Sequence, residues 1–135
     1  MITGIGHVAF KVSDLEKSLD FYCNKLGLKE AFRLYNDDGT PWIIYVKINS
    51  DNFIELFPGG KGVNLPVSEK AGYQHLCLRV DDIFKTLDEL KERGLEISGE
   101  PVKGLDGNYQ YWLKDPDGNP IELMQIMPDS LQAKS

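Results

Sequence analysis

At 135 residues, 41% hydrophobic and 27% charged, the chain has the size and composition of one soluble globular domain, and no stretch is poor enough in apolar residues to read as disordered. The net charge of −6 excludes the concentrated basic surface that nucleic acid requires, but a local pair of cations leaves a small anionic substrate open. No apolar run approaches a membrane span, Met1 to Gly6 lacks the basic-then-apolar pattern of a signal peptide, and Cys23 and Cys77 have no metal or redox spacing, so the expectation is a cytoplasmic chain with two half-buried structural thiols.

Residues 5–12 alternate apolar and polar types and predict a strand. Ser13-Asp14-Leu15-Glu16 follows with capping-box spacing, an oxygen acceptor and then a glutamate three residues on. Leu15, Leu19, Tyr22 and Leu26 recur at helical spacing, and Gly27 provides a left-handed stop. Trp42 to Ile48 and Phe53 to Phe57 read as a hairpin around the turn formers Asn49-Ser50-Asp51-Asn52. From Pro58-Gly59-Gly60 to about Tyr73, structure breakers predict a linker, residues 58–73. A second strand is expected at 74–80, then a helix capped at Asp81 or Asp82 with Ile83, Leu87 and Leu90 as its stripe and Gly94 as its stop. Tyr109 to Lys114 and Pro120 to Ile126 form the last predicted hairpin, around Asp115-Pro116-Asp117-Gly118-Asn119, and residues 128–135 read as a frayed polar tail.

This order of elements is a repeat. His7-Val8-Ala9-Phe10-Lys11-Val12 aligns with His75-Leu76-Cys77-Leu78-Arg79-Val80 at an offset of 68 (75 less 7), and Val46 to Leu56 aligns with Leu113 to Leu123 at an offset of 67 (122 less 55). Both second blocks carry Asn-x-Ile-Glu-Leu, and the two halves run over approximately 5–57 and 74–126.

The repeat superimposes the chain's two histidines, His7 and His75, and two glutamates, Glu55 and Glu122. Both glutamates sit within apolar strands with no wet face, where an ionised carboxylate must be paired, protonated or coordinating. Two imidazoles and two carboxylates form a mixed nitrogen and oxygen donor set that suits one divalent ion, zinc, nickel, cobalt, manganese or iron(II), and leaves two positions open on a six-coordinate ion. Lys11 and Arg79 fall on the same strand faces as the histidines and are candidates to hold a carboxylate or phosphate of the substrate. Trp42, Tyr45, Tyr109, Tyr111 and Trp112 are candidate pocket walls, with core packing the expected role for most of them.

The stretch from His7 through Val12 to Tyr22, Leu26-Gly27, and Asp115 to Leu123 resemble the glyoxalase, bleomycin-resistance and dioxygenase superfamily, the vicinal oxygen chelate proteins, over nearly the whole chain, His7 to about Ile126. The resemblance implies an α+β fold of two tandem βαβββ modules, whose mixed sheet curls into a cup around a metal, and a homodimer in which modules of two chains can share each cup. The order His, Glu, His, Glu is similar to that of glyoxalase I (lactoylglutathione lyase). Carried over, His7, Glu55, His75 and Glu122 match its metal ligands, and Glu55 and Glu122 its candidate catalytic bases, with Glu122 favoured. The implied reaction is methylglyoxal-type detoxification, in which the hemithioacetal of a 2-oxoaldehyde becomes a 2-hydroxyacyl thioester. Methylmalonyl-CoA epimerases usually have glutamine where Glu55 stands; an epimerase and a metal-free binding protein of the bleomycin-resistance type are the rival readings. Lys11 replaces the arginine common in glyoxalase I, Gly59 replaces an asparagine that contacts glutathione, and Gly107 to Tyr111 departs from the usual threonine-containing segment, so glutathione as the thiol does not follow.

Overall fold

A computed structural model describes residues 1–63 and 69–135; the part of the predicted linker at 64–68 lies outside the described residues. The chain divides into two compact units, Met1–Val63 and Asn64–Ser135.

In the first unit, strand β1 (His7–Lys11) leads into helix α1 (Leu15–Leu19), which continues as a π-helical turn over Asp20–Lys25; strands β2 (Lys29–Tyr35), β3 (Pro41–Lys47) and β4 (Phe53–Phe57) follow. The sheet order is β1-β4-β3-β2, with β1 parallel to β4 and the other pairs antiparallel. The second unit repeats this plan: β5 (Leu76–Val80), α2 (Ile83–Glu92), β6 (Val102–Lys103), β7 (Tyr109–Lys114) and β8 (Pro120–Gln125), in the order β5-β8-β7-β6 with β5 parallel to β8. Each is a βαβββ unit in which the last strand lies between the first and third. That placement follows from the parallel pair, since a parallel neighbour needs a crossover and α1 or α2 provides it.

Each helix covers one face of its sheet. Ile44, Val46, Ile54 and Leu56 are fully buried in the first unit, with Phe10, Val12, Phe21 and Tyr22; Ile83, Leu87, Leu90, Leu113, Ile121 and Leu123 form the core of the second. The other sheet face carries the alternate residues, among them the two glutamates.

Several local details differ from the expectations. The first helix is capped by Asp14, whose Oδ1 accepts from the Lys17 amide at 3.1 Å, so the cap lies one residue past Ser13 and Glu16 does not occupy the capping-box position. Asp82 caps the second helix in the same way at 3.0 Å. The stripe of the first helix is interrupted, because i→i+5 bonding over Asp20–Lys25 turns consecutive residues Phe21 and Tyr22 together into the core, where their rings meet edge to face at 5.0 Å. Cys23 is half-buried, but Cys77 is exposed, which corrects the expectation of two half-buried thiols.

The C-terminal segment is not frayed. Ser130, 1% exposed, caps a short helix α3 (Leu131–Lys134) by accepting from Ala133 at 3.1 Å, and the Leu131 amide donates to the Asp106 carbonyl at 2.8 Å. Buried Asn108 binds this segment: its Nδ2 donates to Gln132 Oε1 at 3.0 Å and its Oδ1 accepts from the Met127 amide at 3.0 Å. Gly107, at φ +89°, lets the backbone approach, since a Cβ there would meet Ser130 Cα at 3.2 Å. Specific polar pairing replaces the apolar contacts the composition of the tail lacks.

Candidate functional site

Glu55 stands at the middle of β4, with Ala9 of β1 beside it on one side and Tyr45 of β3 on the other. Only 5% of it is exposed, while its Oε2 lies 3.4 Å from Nε2 of His7, whose side chain is half open. Interaction with the Glu55 carboxylate first, then desolvation, pushes the Tyr45 phenol upward from its ordinary pKa. The ring is held by stacking on Phe32 at 4.2 Å and by an edge contact with Phe53 at 6.3 Å.

The second unit reproduces the arrangement with different neighbours. Glu122, also 5% exposed, lies on β8 between Cys77 of β5 and Trp112 of β7, and its Oε2 is 3.1 Å from His75 Nε2. Trp112 sets its ring edge-on to the His75 imidazole at 4.7 Å and 76°. The Cys77 thiol is pushed up to about 12, first by desolvation, then by the charge of Glu122 and a hydrogen bond to it, with Asp106 adding to the charge.

Each unit therefore presents one imidazole nitrogen beside one buried carboxylate oxygen. The spacing fits a shared ion: two neighbouring donors at 2.0–2.2 Å from a metal are about 3.0 Å apart on an octahedron and about 3.4 Å on a tetrahedron. Distances of 3.4 and 3.1 Å fall in that window, so each pair can span one edge of a coordination polyhedron. A carboxylate with a single imidazole partner also retains lone pairs for a cation. Among the described residues, no group of three or more His, Cys, Asp or Glu side chains that could hold a metal ion is gathered; what is formed is the two pairs.

Lys11 and Arg79, two residues beyond Ala9 and Cys77, are both exposed. The Lys11 stem runs over the Gly59-Gly60 turn, where a Cβ on Gly60 would meet Lys11 Cγ at 3.1 Å and one on Gly59 would lie 3.8 Å from Lys11 Nζ. The two sequence departures, Lys11 and Gly59, are thus neighbours in space.

The five aromatic candidates separate by role, and none is fully buried, contrary to the core packing expected of most. Trp42 is half exposed. Tyr109 packs on Phe84 at 5.5 Å, and Tyr111 straps the chain by donating to the Ser98 carbonyl at 2.8 Å and accepting from its amide at 3.0 Å. Tyr45 and Trp112 flank the two glutamates. The repeat held the signal for this pair, since the offset of 67 that relates Glu55 to Glu122 also relates Tyr45 to Trp112. Cys77, equivalent to Ala9, read only as a structural thiol, because a lone cysteine in a strand ordinarily packs as a small apolar residue.

Comparison with known proteins supports the fold. The chain matches the Glyoxalase/Bleomycin resistance protein/Dioxygenase superfamily over residues 4–123. It is 33% identical to an ethylmalonyl-CoA/methylmalonyl-CoA epimerase of Cereibacter sphaeroides, covering 93% of this chain and 100% of that protein. It is 31% identical to a probable lactoylglutathione lyase of Synechocystis, covering 88% of this chain and 92% of the relative. Among solved structures, a glyoxalase family protein from Enterococcus faecalis superimposes with a TM-score of 0.75 at 27% identity, over 90% of this chain and 96% of that one. The chain belongs to this superfamily, and its two βαβββ units are the superfamily's α+β fold.

Proposed function

We propose that this member of the glyoxalase, bleomycin-resistance and dioxygenase superfamily is a metal-dependent lyase of the glyoxalase I type, which converts the hemithioacetal of a 2-oxoaldehyde and a thiol into a 2-hydroxyacyl thioester. The observation that carries the reading is the duplicated His–Glu pair, with buried carboxylates and nitrogen-to-oxygen distances of 3.4 and 3.1 Å. His7, Glu55, His75 and Glu122 would hold one divalent ion (nickel, cobalt, zinc, manganese or iron(II)), the two pairs meeting either within one chain or across a homodimer. When bound, such an ion supplies Lewis-acid polarisation of vicinal substrate oxygens.

The chain's own residues carry the proton. Glu122 takes it from the hemithioacetal carbon onto a carboxylate oxygen and returns it to the neighbouring carbon, so the step is an internal redox isomerisation that consumes no external oxidant. Burial of Glu122 keeps bulk water from exchanging that proton. Lys11 and Arg79, exposed beyond the pairs on the same strand faces, would hold an anionic part of the substrate. The Lys11–Gly59 neighbourhood differs from that of glutathione-using relatives, so the thiol is left to be identified by trial. A small cytoplasmic metabolite is the substrate class this reading requires.

A second reading has its own support. The epimerase relative is the more similar of the two enzymes compared, and an epimerase would use the same pairs to move a proton α to a thioester carbonyl. Glu55, where epimerases usually have glutamine, favours the lyase. Metal analysis of the purified protein, followed by assays with methylglyoxal and several thiols and with chiral acyl thioesters, separates the two. Thioester formation is expected. A metal-loaded protein that forms none with any thiol but exchanges the α-proton of an acyl thioester is an epimerase. Glu122→Gln is expected to abolish isomerisation while much of the metal stays bound; retained turnover reassigns the base to Glu55.

A further inference from the structure

At one end of the sheet face that carries Glu122, three segments distant in sequence meet. Along β8, Ile121 and Leu123 turn into the core, so Glu122 and Met124 share the opposite face. In register beside them stand Cys77 and Arg79 on β5, and Trp112 and Gln110 on β7. The loop before β7 folds back onto this row: a Cβ on Gly104 would lie 3.5 Å from Gln110 Nε2, and Asn108 Nδ2 is 3.5 Å from Met124 Sδ. Asn108, 1% exposed, has two hydrogens on that nitrogen, and Asp106 Oδ2 and Gln132 Oε1 accept them, each at 3.0 Å. Gln132 thus ties residues 130–134 to the row at the position two residues beyond Glu122. The first unit has proline at the equivalent of Asn108, Pro41 (108 less 67), which has no side-chain amide to make such a tie.

We propose that the Asn108–Gln132 bond is a clasp that holds residues 130–134 against the Met124 end of this face and limits the size of what reaches Glu122 and His75. The proposal rests on the reading above only in taking this face as the substrate's. Two residues along a strand span about 7 Å, so a molecule seated at Glu122 meets Met124 and the clasp within the length of a short side chain. The closing element, Leu131–Lys134, is a single helical turn, too short to hold its shape alone. Its place therefore depends on the polar bonds it makes, and Gln132 makes the one that a side-chain substitution removes without touching backbone pairing. Gln132 and Asn108 are positioning residues: they act through the segment they hold. The clasp favours a small adduct of a 2-oxoaldehyde and a short thiol over a bulky acyl carrier, which must open the segment first.

Cys77, exposed and in register beside Glu122, reports access to this face without metal or turnover. In the full chain, its alkylation by iodoacetamide is compared with alkylation by an iodoacetamide that carries a bulky fluorophore, read by peptide-resolved mass spectrometry. Both reagents attack the same thiolate, so the ratio of their rates cancels the acidity of the thiol and reads size alone. Cys23, in the first unit, is the internal reference. Gln132→Ala removes the clasp, and Lys134→Ala alters the same helical turn at a side chain the clasp does not use; circular dichroism checks the folding of both. In Gln132→Ala the bulky-to-small ratio at Cys77 is expected to rise about 3–10-fold, the weight of one net hydrogen bond, and the amides of Met127 and Leu131 to exchange faster with deuterium. Lys134→Ala and the ratio at Cys23 should match the unaltered chain. An unchanged Cys77 ratio in Gln132→Ala overturns the size limit, and an equal rise in Lys134→Ala overturns the clasp, since that is fraying of the whole turn. Neither result touches the lyase reading, because no metal or substrate is present; conversely, a chain that forms no thioester with any thiol leaves the clasp to be judged on the same ratio.

Discussion

The turn before the Glu122 strand should be the most sensitive polar feature of the second unit. Asp115, 4% exposed, holds it with three hydrogen bonds: Oδ1 accepts from the amides of Asp117 at 3.0 Å and Asn119 at 2.8 Å, and Oδ2 accepts from Asn119 Nδ2 at 2.8 Å. Asp115→Ala removes a charged acceptor and, with it, these three bonds. Hydrogen bonds to charged groups contribute about 1.5–3 kcal/mol each, and neighbouring losses are less than additive, so a loss of about 3–5 kcal/mol is expected.

The first unit contains a built-in comparison. Asn49 Oδ1 accepts from the amides of Asp51 and Asn52, both at 2.9 Å, in the corresponding hairpin, but these groups are exposed. Water replaces the lost acceptor there, and Asn49→Ala should cost about 1 kcal/mol. For a chain of this length 1 kcal/mol moves Tm by about 3–5 °C, so Asp115→Ala should melt about 10–20 °C lower and Asn49→Ala about 3–5 °C lower. Thermal melts followed by circular dichroism measure both. Equal shifts, or an Asp115→Ala shift under about 5 °C, would refute the assignment of the turn's stability to buried charge-assisted bonding.

Two further outcomes follow from the titrating groups. In metal-free protein at mildly alkaline pH, Cys77 should alkylate about 10–100-fold more slowly than an ordinary exposed thiol: a thiol at about 12 leaves roughly a thousandfold less thiolate, and higher intrinsic nucleophilicity recovers about half of that on a logarithmic scale. Glu122→Gln should speed the reaction; peptide-resolved mass spectrometry reads the rate, and alkylation as fast as free cysteine contradicts the reasoning. Glu30, bonded by Arg33 Nε and by its Nη2 at 2.9 Å, is held below the usual glutamate range chiefly by that hydrogen bonding. Its contribution is therefore present above the unfolded pKa and lost as pH falls through the folded one, so the small stability gap between the unaltered chain and Glu30→Gln should close below about pH 4; a gap unchanged at low pH would be inconsistent with the pairing.

The parts of the fold that could be read from the sequence are those where one physical signal dominates. β1, β3, β4, β5, β7 and β8 are short runs rich in apolar residues with one face of each sheet packed under a helix, and the breakers inside each hairpin are real turns. β2 was not placed. Its pairing with β3 slips between Glu30 and Phe32 and again between Leu34 and Tyr35, and each bulge resets the two-residue period that makes a strand visible. β6 has two residues, too few to carry a period. The π-helical turn has no compositional mark, and α3 depends on Asn108 and Gln132 meeting across 24 residues, a contact that no local pattern announces.

The same reasoning explains how much of the candidate site was legible. His7, Glu55, His75 and Glu122 stood out because a repeat kept their identities through both copies, and in each unit the strand register brings its own pair within 3.4 Å. The neighbours were less legible where the copies differ: Tyr45 and Trp112 read only as candidate pocket walls and Cys77 only as a thiol, whereas Lys11 and Arg79, alike in charge, read as a matched pair. A repeat makes shared residues conspicuous and hides those that have diverged. Yet divergence gives two chemically identical glutamates different surroundings, where symmetric surroundings would give both the same mobility and the same basicity. The substitutions between the halves are therefore the informative part of the alignment, with Tyr45 in register beside Glu55 where Trp112 stands beside Glu122.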